Sequence, residues 1–176
     1  MGGEAAVPHG SVVCASPLGV LYLEADAEGI CRLSPGERPT TTGDERTREL
    51  LRRAAGELEE YFSGERRVFR VPLSLKGTEF QRAVWRVLQD IPYGQTRSYG
   101  EIARMLGRPG AARAVGMANH CNPVMIFVPC HRVVGQDGSL TGYAGGLEMK
   151  EKLLALEKRG GIPAGRDDGR MTGIMD

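Results

Sequence analysis

The sequence predicts an α+β protein, in which a small N-terminal domain of sheet and helix precedes a mostly helical domain. Three observations support this fold class. Short runs of apolar and β-branched residues alternate with turn residues up to about residue 35. Apolar side chains then recur at helical spacing over residues 45–62. From residue 76 the pattern changes to short helical segments, two of which open with a capping box.

Length and composition allow this organisation. The 176 residues suffice for one sizeable domain or two small ones, and 41% hydrophobic with 26% charged residues is ordinary for a soluble globular protein. We predict domains at 1–75 and 76–160 and a flexible, Gly-rich tail at 161–176. A net charge of +1 means that any surface for nucleic acid must be local. Because we see neither a signal peptide nor an apolar run of about 20 residues, we expect a cytoplasmic protein.

The N-terminal domain begins with three predicted strands, "SVVCAS", "GVLYLEA" and "GICRLS", which the turns "PLG" and "DAEG" separate. An amphipathic helix follows, and its apolar face consists of Leu50, Leu51, Ala54, Leu58, Tyr61 and Phe62. The segment "RVFRVPL" predicts one further short strand.

The second domain opens with a helix that Thr78 and Gln81 cap and that ends at "IPYG". Ser98 and Glu101 form the capping box of a second, short helix, and the turn "GRPG" leads to a third helix at about 111–120. Two short helices joined by a Gly-containing turn are the signature of a helix-turn-helix.

The third helix carries little bulk and lies among arginines. Alanine and glycine dominate "AARAVGMA", and the neighbouring basic residues are Arg97, Arg104, Arg108 and Arg113. A thin helix in a basic patch can enter a groove of nucleic acid. A close-packed internal helix with a solvated arginine face explains the same residues equally well, so both interpretations stay open here.

The segment "FVPCHRVVG" places Cys130 between a proline and a histidine, after the apolar run "VMIFV", which predicts a buried strand. A nucleophilic thiol needs a base. Because neighbours on a strand point to opposite faces, pairing with His131 requires a turn at Pro129 or a bridging water. Glu157, on a last helix at about 147–158, is a candidate to orient the imidazole. A buried, unreactive thiol and an exposed helix-end carboxylate are the alternatives.

The other cysteines predict neither a disulfide nor a metal site. Cys14 and Cys31 lie in apolar segments, which is typical of free buried cysteines, and disulfides are rare in the cytosol. The pairs His120–Cys121 and Cys130–His131 are adjacent residues, whereas zinc ligands are spaced more widely. We expect no metal and no cofactor.

Five motifs together resemble one family. They are "SYGEIA", "AARAVG", "NP", "PCHRVVG" and "GYAGG…K…LLALE", and they occur in the order found in the O6-alkylguanine-DNA alkyltransferases, also called methylated-DNA–protein-cysteine methyltransferases. The resemblance is dense from about Thr78 to Glu157 and looser before it, where "SPLG" and the strand pattern carry it. It implies a ribonuclease H-like N-terminal domain and a winged helix-turn-helix-like C-terminal domain.

The resemblance implies DNA repair by direct damage reversal. The alkyl group of O6-alkylguanine, and of O4-methylthymine, would move irreversibly to Cys130, so that each protein molecule reacts once. The partner would be double-stranded DNA, bound through the minor groove by a monomer, with the target base flipped out of the stack.

The resemblance also implies roles for individual residues. His131 would take the thiol proton through a water, Glu157 would hold the imidazole, and Tyr99 would assist protonation of the leaving group. Asn122 would brace the hinge beside the third helix. The DNA-binding set would be Arg113, which fills the place of the flipped base, with Ala112, Gly116, Ser98 and Tyr99. The substrate pocket would be lined by Val133, Tyr143, Ala144 and Lys150.

The chain departs from the family pattern in places. Some members carry a hydroxyl residue at Ala144, and others carry different residues at His120 and Cys121. The larger eukaryotic members can hold zinc in the N-terminal domain, but His9, Cys14 and Cys31 do not line up with that arrangement.

Three other classes of protein were weighed against this interpretation. A non-enzymatic lesion-binding relative would lack the cysteine of the motif. A helix-turn-helix regulator would carry bulky base-reading side chains. A thiol hydrolase would have no use for a DNA-entering helix.

Overall fold

The computed structural model describes residues 9–143 and 145–160, so Ala144 and the predicted tail lie outside the described residues. The described chain divides into two compact units, one up to Leu75 and one from Lys76 onward. Together they form the α+β arrangement that the sequence predicts.

The first unit is an antiparallel three-stranded sheet with one long helix. The strands β1 (His9–Cys14), β2 (Leu21–Asp26) and β3 (Gly29–Pro35) pair in that order. Helix α1 (Glu45–Phe62) has the predicted bounds because Asp44 caps it and its apolar face is buried against the sheet.

The prediction of a strand at "RVFRVPL" is wrong, because this segment is mostly irregular. Only Leu73 makes a bridge, to Ile30 of β3. The amides of Arg70 and Val71 instead donate to the carboxylate of Glu57, at 3.0 and 3.1 Å, so these backbone groups are satisfied by a side chain rather than by a strand.

In its described residues, the second unit has four α-helices and a two-residue parallel ladder. Its elements are α2 (Glu79–Gln89), β4 (Arg97–Ser98), α3 (Tyr99–Met105), α4 (Ala112–His120), β5 (Val133–Val134) and α5 (Leu147–Arg159). Both predicted capping boxes are present, at the starts of α2 and α3. The helix-turn-helix formed by α3 and α4 is therefore confirmed. Trp85 of α2 is buried, and its indole N–H donates to the carbonyl of Ala118 at 2.8 Å, which fixes α4 against α2.

The run "VMIFV" is buried, as expected, but it is not a strand. Ile126 has a φ of 73°, and Met125 and Val128 form only an isolated bridge. The amides of Phe127 and Val128 bond to carbonyls two and four residues earlier, so the segment folds into local turns. No helix in the described part of the chain is long and apolar enough to cross a membrane.

Candidate active site

Cys130 sits at the start of a single 3₁₀ turn, Cys130–Arg132, which follows Pro129. The residue is only 2% exposed. The sequence analysis required either a turn or a bridging water for Cys130 to pair with His131, and the structure contains a turn. Because the chain curves here, the side chains of Cys130 and His131 are no longer forced to opposite faces as they would be on a strand.

Two asparagines hold the cysteine from the side of α4. The amide nitrogen of Asn122 donates to the Cys130 sulfur at 3.1 Å and to the Val128 carbonyl at 2.8 Å. The amide of Asn119 lies 3.4 Å from the Cys130 carbonyl oxygen. Asn122 thus contacts both the thiol and the backbone that precedes it, and Asn119 is a contact that sequence reasoning missed.

His131 and Arg132, which follow Cys130 in the same turn, form a buried cluster with Glu157. The Nε2 atom of His131 lies 2.7 Å from Oε2 of Glu157. Arg132 donates to both carboxylate oxygens of Glu157, at 2.9 and 2.8 Å, and to the carbonyl of Ile91 at 2.7 Å. The sequence analysis did not consider Arg132. The planar guanidinium of an arginine can donate to both oxygens of a carboxylate, which makes arginine well suited to buried ion pairs.

The hydrogen bonds fix the tautomer of His131. An ionised carboxylate only accepts hydrogen bonds, so the proton of the neutral imidazole lies on Nε2. The Nδ1 atom is buried and has no hydrogen-bond partner among the described residues, which leaves its lone pair available. The Nδ1 atom of His131 can therefore accept a proton.

Burial lowers the pKa of His131 below its usual value, and the charge of Glu157 opposes this only in part. Burial alone would raise the pKa of Glu157, but its bonds to His131 and the charge of Arg132 hold it well below the usual range. At neutral pH the cluster thus consists of a neutral imidazole, a carboxylate and a guanidinium.

The thiol of Cys130 is protonated at neutral pH. Burial raises its pKa to about 11, whereas the bond from Asn122, the charge of Lys150 and the contact with Tyr143 lower it. Lys150 is fully buried, donates to the carbonyl of Thr141 at 2.8 Å, and burial lowers its own pKa. The Lys150 ammonium is thus a buried positive charge that acts on the Cys130 sulfur, and it favours the thiolate once the thiolate forms.

The predicted DNA-binding residues come together on α3 and α4. Tyr99, Ala112, Arg113 and Gly116 line one open pocket of about 550 Å³, together with Met117, His120 and Cys121. Met117 is 68% exposed, a bulky apolar side chain on this face that sequence reasoning overlooked. Ser98 caps α3 through its side-chain oxygen, which accepts from Glu101.

The pairing of β4 with β5 connects the two groups of residues. Arg97 pairs with Val133 and Ser98 with Val134, so the start of α3 lies beside the chain that leaves the Cys130 turn. Val133 and Tyr143 are buried, whereas Ala144, the remaining predicted pocket residue, lies outside the described residues.

A cluster in the first unit was also missed. The potential ligand atoms of His9, Asp26 and Cys31 lie within 4.8 Å of one another, whereas the sequence analysis considered His9 and Cys31 only as residues that do not match the family's zinc arrangement. Asp26 accepts bonds from the Gly29 amide and the Ser74 hydroxyl, and burial raises the Cys31 pKa to about 12. Asp26 therefore stabilises the β2–β3 turn, and the Cys31 thiol beside it is protonated at neutral pH.

Comparisons with known proteins agree over nearly the whole described chain. A family model described as 6-O-methylguanine DNA methyltransferase, DNA binding domain, matches residues 79–159, and the corresponding ribonuclease-like domain matches residues 12–75. Proteins named methylated-DNA–protein-cysteine methyltransferase are similar to this chain, and two of them illustrate the match. The protein from Methanosarcina acetivorans is 50% identical over 146 residues, covering 81% of this chain and 94% of that protein. The protein from Mycolicibacterium paratuberculosis is 52% identical over 147 residues, covering 82% and 89%.

A solved structure is similar as well. The crystal structure of Mycobacterium tuberculosis OGT in complex with DNA matches with a TM-score of 0.77 and 46% sequence identity. The match covers 89% of this chain and 95% of that one.

Proposed function

Because the chain belongs to the 6-O-methylguanine DNA methyltransferase family and repairs DNA by alkyl transfer, we propose that Cys130 accepts the alkyl group from O6-alkylguanine. One observation carries this assignment. The buried thiol lies in the same 3₁₀ turn as a neutral imidazole whose Nδ1 atom has no partner within the described residues. A neutral imidazole with an available ring nitrogen supports the assignment of His131 as the base that an activated cysteine nucleophile needs.

The proposed reaction balances in protons and electrons. The thiol proton passes through a water to Nδ1 of His131, and the thiolate attacks the alkyl carbon in line. The S–C bond forms as the C–O6 bond breaks, and the electron pair remains on guanine, which takes a proton from the Tyr99 hydroxyl. The imidazolium then returns its proton to solvent, from which Tyr99 is reprotonated.

The charges around the site support this sequence of steps. Proton transfer from a thiol of pKa about 11 to an imidazole of lowered pKa is uphill, so the thiolate forms only transiently. Glu157 stabilises the imidazolium at 2.7 Å, and Lys150 together with Asn122 stabilises the thiolate. Arg132 keeps Glu157 ionised throughout.

We propose that α4 enters the minor groove of double-stranded DNA, with Arg113 in the place of the flipped base. Arg113 lies in the open pocket with Ala112 and Gly116, where small side chains leave room for a close approach. All residues of the proposed site belong to the second unit, so one copy of the chain suffices. A monomeric state, a cytoplasmic location and activity on O4-methylthymine remain predictions from the sequence.

The direct test uses a short duplex that carries one O6-methylguanine. After incubation, intact-mass measurement should show a gain of one methyl group on the protein and none with the unmethylated duplex. Tight binding without any mass gain would favour a non-enzymatic lesion-binding protein, an alternative that the relatives do not favour.

Arg113→Ala should slow repair of the duplex on the order of 10²-fold, because nothing then offsets the few kcal/mol of unstacking the base. Reaction with free O6-benzylguanine should hardly change, since that substrate has no stack to leave. Rates of protein inactivation by the two substrates measure this difference. Equal losses on both would remove Arg113 from the role of base replacement.

Gly116→Ala should weaken duplex binding while leaving folding intact. A Cβ atom there would lie 3.7 Å from the Tyr99 ring, an ordinary contact, but it would add bulk to the surface that approaches DNA. Gly56→Ala in α1 is the matched control, since its Cβ meets nothing within 4 Å. We expect it to raise the free energy of unfolding by about 1 kcal/mol without altering DNA affinity. Unchanged binding of Gly116→Ala in a titration would contradict a close approach of α4.

A further inference from the structure

Thr141 connects two residues of the proposed site that are otherwise far apart in the sequence. Its side-chain hydroxyl lies 2.9 Å from the Tyr99 hydroxyl, and its carbonyl oxygen lies 3.5 Å from the same atom. That carbonyl also accepts a hydrogen bond from Nζ of Lys150 at 2.8 Å. Nothing in the sequence pattern singled out Thr141.

The Tyr99 side chain is held at two points. Its ring faces Gly116 of α4, where an added Cβ would come within 3.7 Å of the ring atoms. That apolar contact limits the plane of the ring but does not hold the hydroxyl in place. The hydrogen bond between the Tyr99 and Thr141 hydroxyls supplies the second point, so the Tyr99 hydroxyl has one defined position before any substrate arrives.

The segment that carries Thr141 needs an anchor of its own. Gly138, Gly142 and Gly146 all have positive φ values, of 85°, 28° and 97°, so the backbone here is built from conformations that glycine permits. Thr141 itself is exposed. The fully buried ammonium of Lys150 fixes the segment through the Thr141 carbonyl, and a charged donor makes this one of the stronger kinds of hydrogen bond.

We propose that Thr141 is a positioning residue for Tyr99, with Lys150 as its buried anchor. The inference rests on the proposed function, in which the Tyr99 hydroxyl gives a proton to the departing guanine. Thr141 holds that hydroxyl ready in the free protein, and its own hydroxyl can donate to the Tyr99 oxygen as negative charge develops there.

The test is the single-turnover rate of methyl transfer from a trace of O6-methylguanine duplex, measured against increasing protein concentration. Thr141→Val removes the hydroxyl and keeps the shape. Its plateau rate should fall about three- to tenfold, the loss of one hydrogen bond, while the half-saturating concentration stays unchanged. Thr141→Ser should recover most of the rate. Gln136→Ala, an exposed change in the same segment, should react as the unchanged protein does.

A double-mutant cycle separates positioning from a general structural effect. If Thr141 acts through Tyr99, the pair Thr141→Val with Tyr99→Phe should be no slower than Tyr99→Phe alone. Additive losses, or a Thr141→Val plateau equal to that of the unchanged protein, would overturn the proposal and leave Cys130 chemistry intact. Absence of any methyl transfer in the unchanged protein would instead overturn the proposed function, and this inference with it.

Discussion

Cys130→Ala is expected to accept no methyl group from an excess of O6-methylguanine duplex, whereas the unchanged protein should plateau at about one equivalent per chain. The reason is the product. A thioether has no good leaving group, so water does not regenerate the thiol as it regenerates an acyl-enzyme. Because Cys130 is the buried thiol that the proposed mechanism uses as the methyl acceptor, its loss should remove the reaction altogether.

Cys121→Ala is the matched control for Cys130→Ala. Cys121 is exposed and lies in the pocket on the proposed DNA face, so it is the thiol that a misplaced alkyl group would meet. The variant should still take up one equivalent, and peptide mapping should place it on the fragment that contains "VPCHR". Sustained turnover, or a methyl group mainly on Cys121, would contradict the single-acceptor mechanism.

Glu157→Gln should lower both stability and rate. The carboxylate is buried and satisfies Arg132 and His131, so its neutral replacement leaves the Arg132 guanidinium buried without a counter-charge. Breaking one side of a buried ion pair costs about 3–5 kcal/mol, which denaturant unfolding at pH 7 would measure. Glu148→Gln removes an exposed pair with Lys152 and should change stability little.

The stability difference should depend on pH with a definite sign. The pKa of Glu157 is lower in the folded protein than in the unfolded chain, so its stabilisation is complete above the unfolded value of about 4.3. It is lost as the pH falls towards the folded value. The difference in free energy of unfolding between the unchanged protein and Glu157→Gln should therefore narrow below pH 4. A difference that widens there would contradict the lowered pKa of Glu157.

The rate of Glu157→Gln carries separate information. Without the carboxylate the imidazolium of His131 is less stable, so the apparent pKa for inactivation of Cys130 should rise and transfer at neutral pH should slow. DNA affinity should stay nearly the same, because Glu157 is not among the residues that line the pocket with Arg113. An unaltered pH–rate profile would remove Glu157 from the mechanism.

The sequence by itself determined the elements whose signals are local. The bounds of α1 and the starts of α2 and α3 follow from capping boxes and from apolar residues three and four positions apart, both of which act within one or two helical turns. The thin helix α4 has no side-chain cap at its start, and only the preceding turn "GRPG" indicated where it begins. The resemblance of the motifs around Cys130 then indicated the family before any geometry was known.

Only the tertiary structure decided how these parts meet. Arg132 and Glu157 are 25 residues apart, and Thr141 and Tyr99 are 42 apart, so no local pattern brings either pair together. The backbone at Ile126 and Arg70 likewise follows from available hydrogen-bond partners rather than from β-propensity. Local sequence patterns do not determine burial either, because burial depends on all the residues that pack around a group. It sets the protonated thiol of Cys130 and the neutral imidazole of His131, and hence the chemistry available at the site.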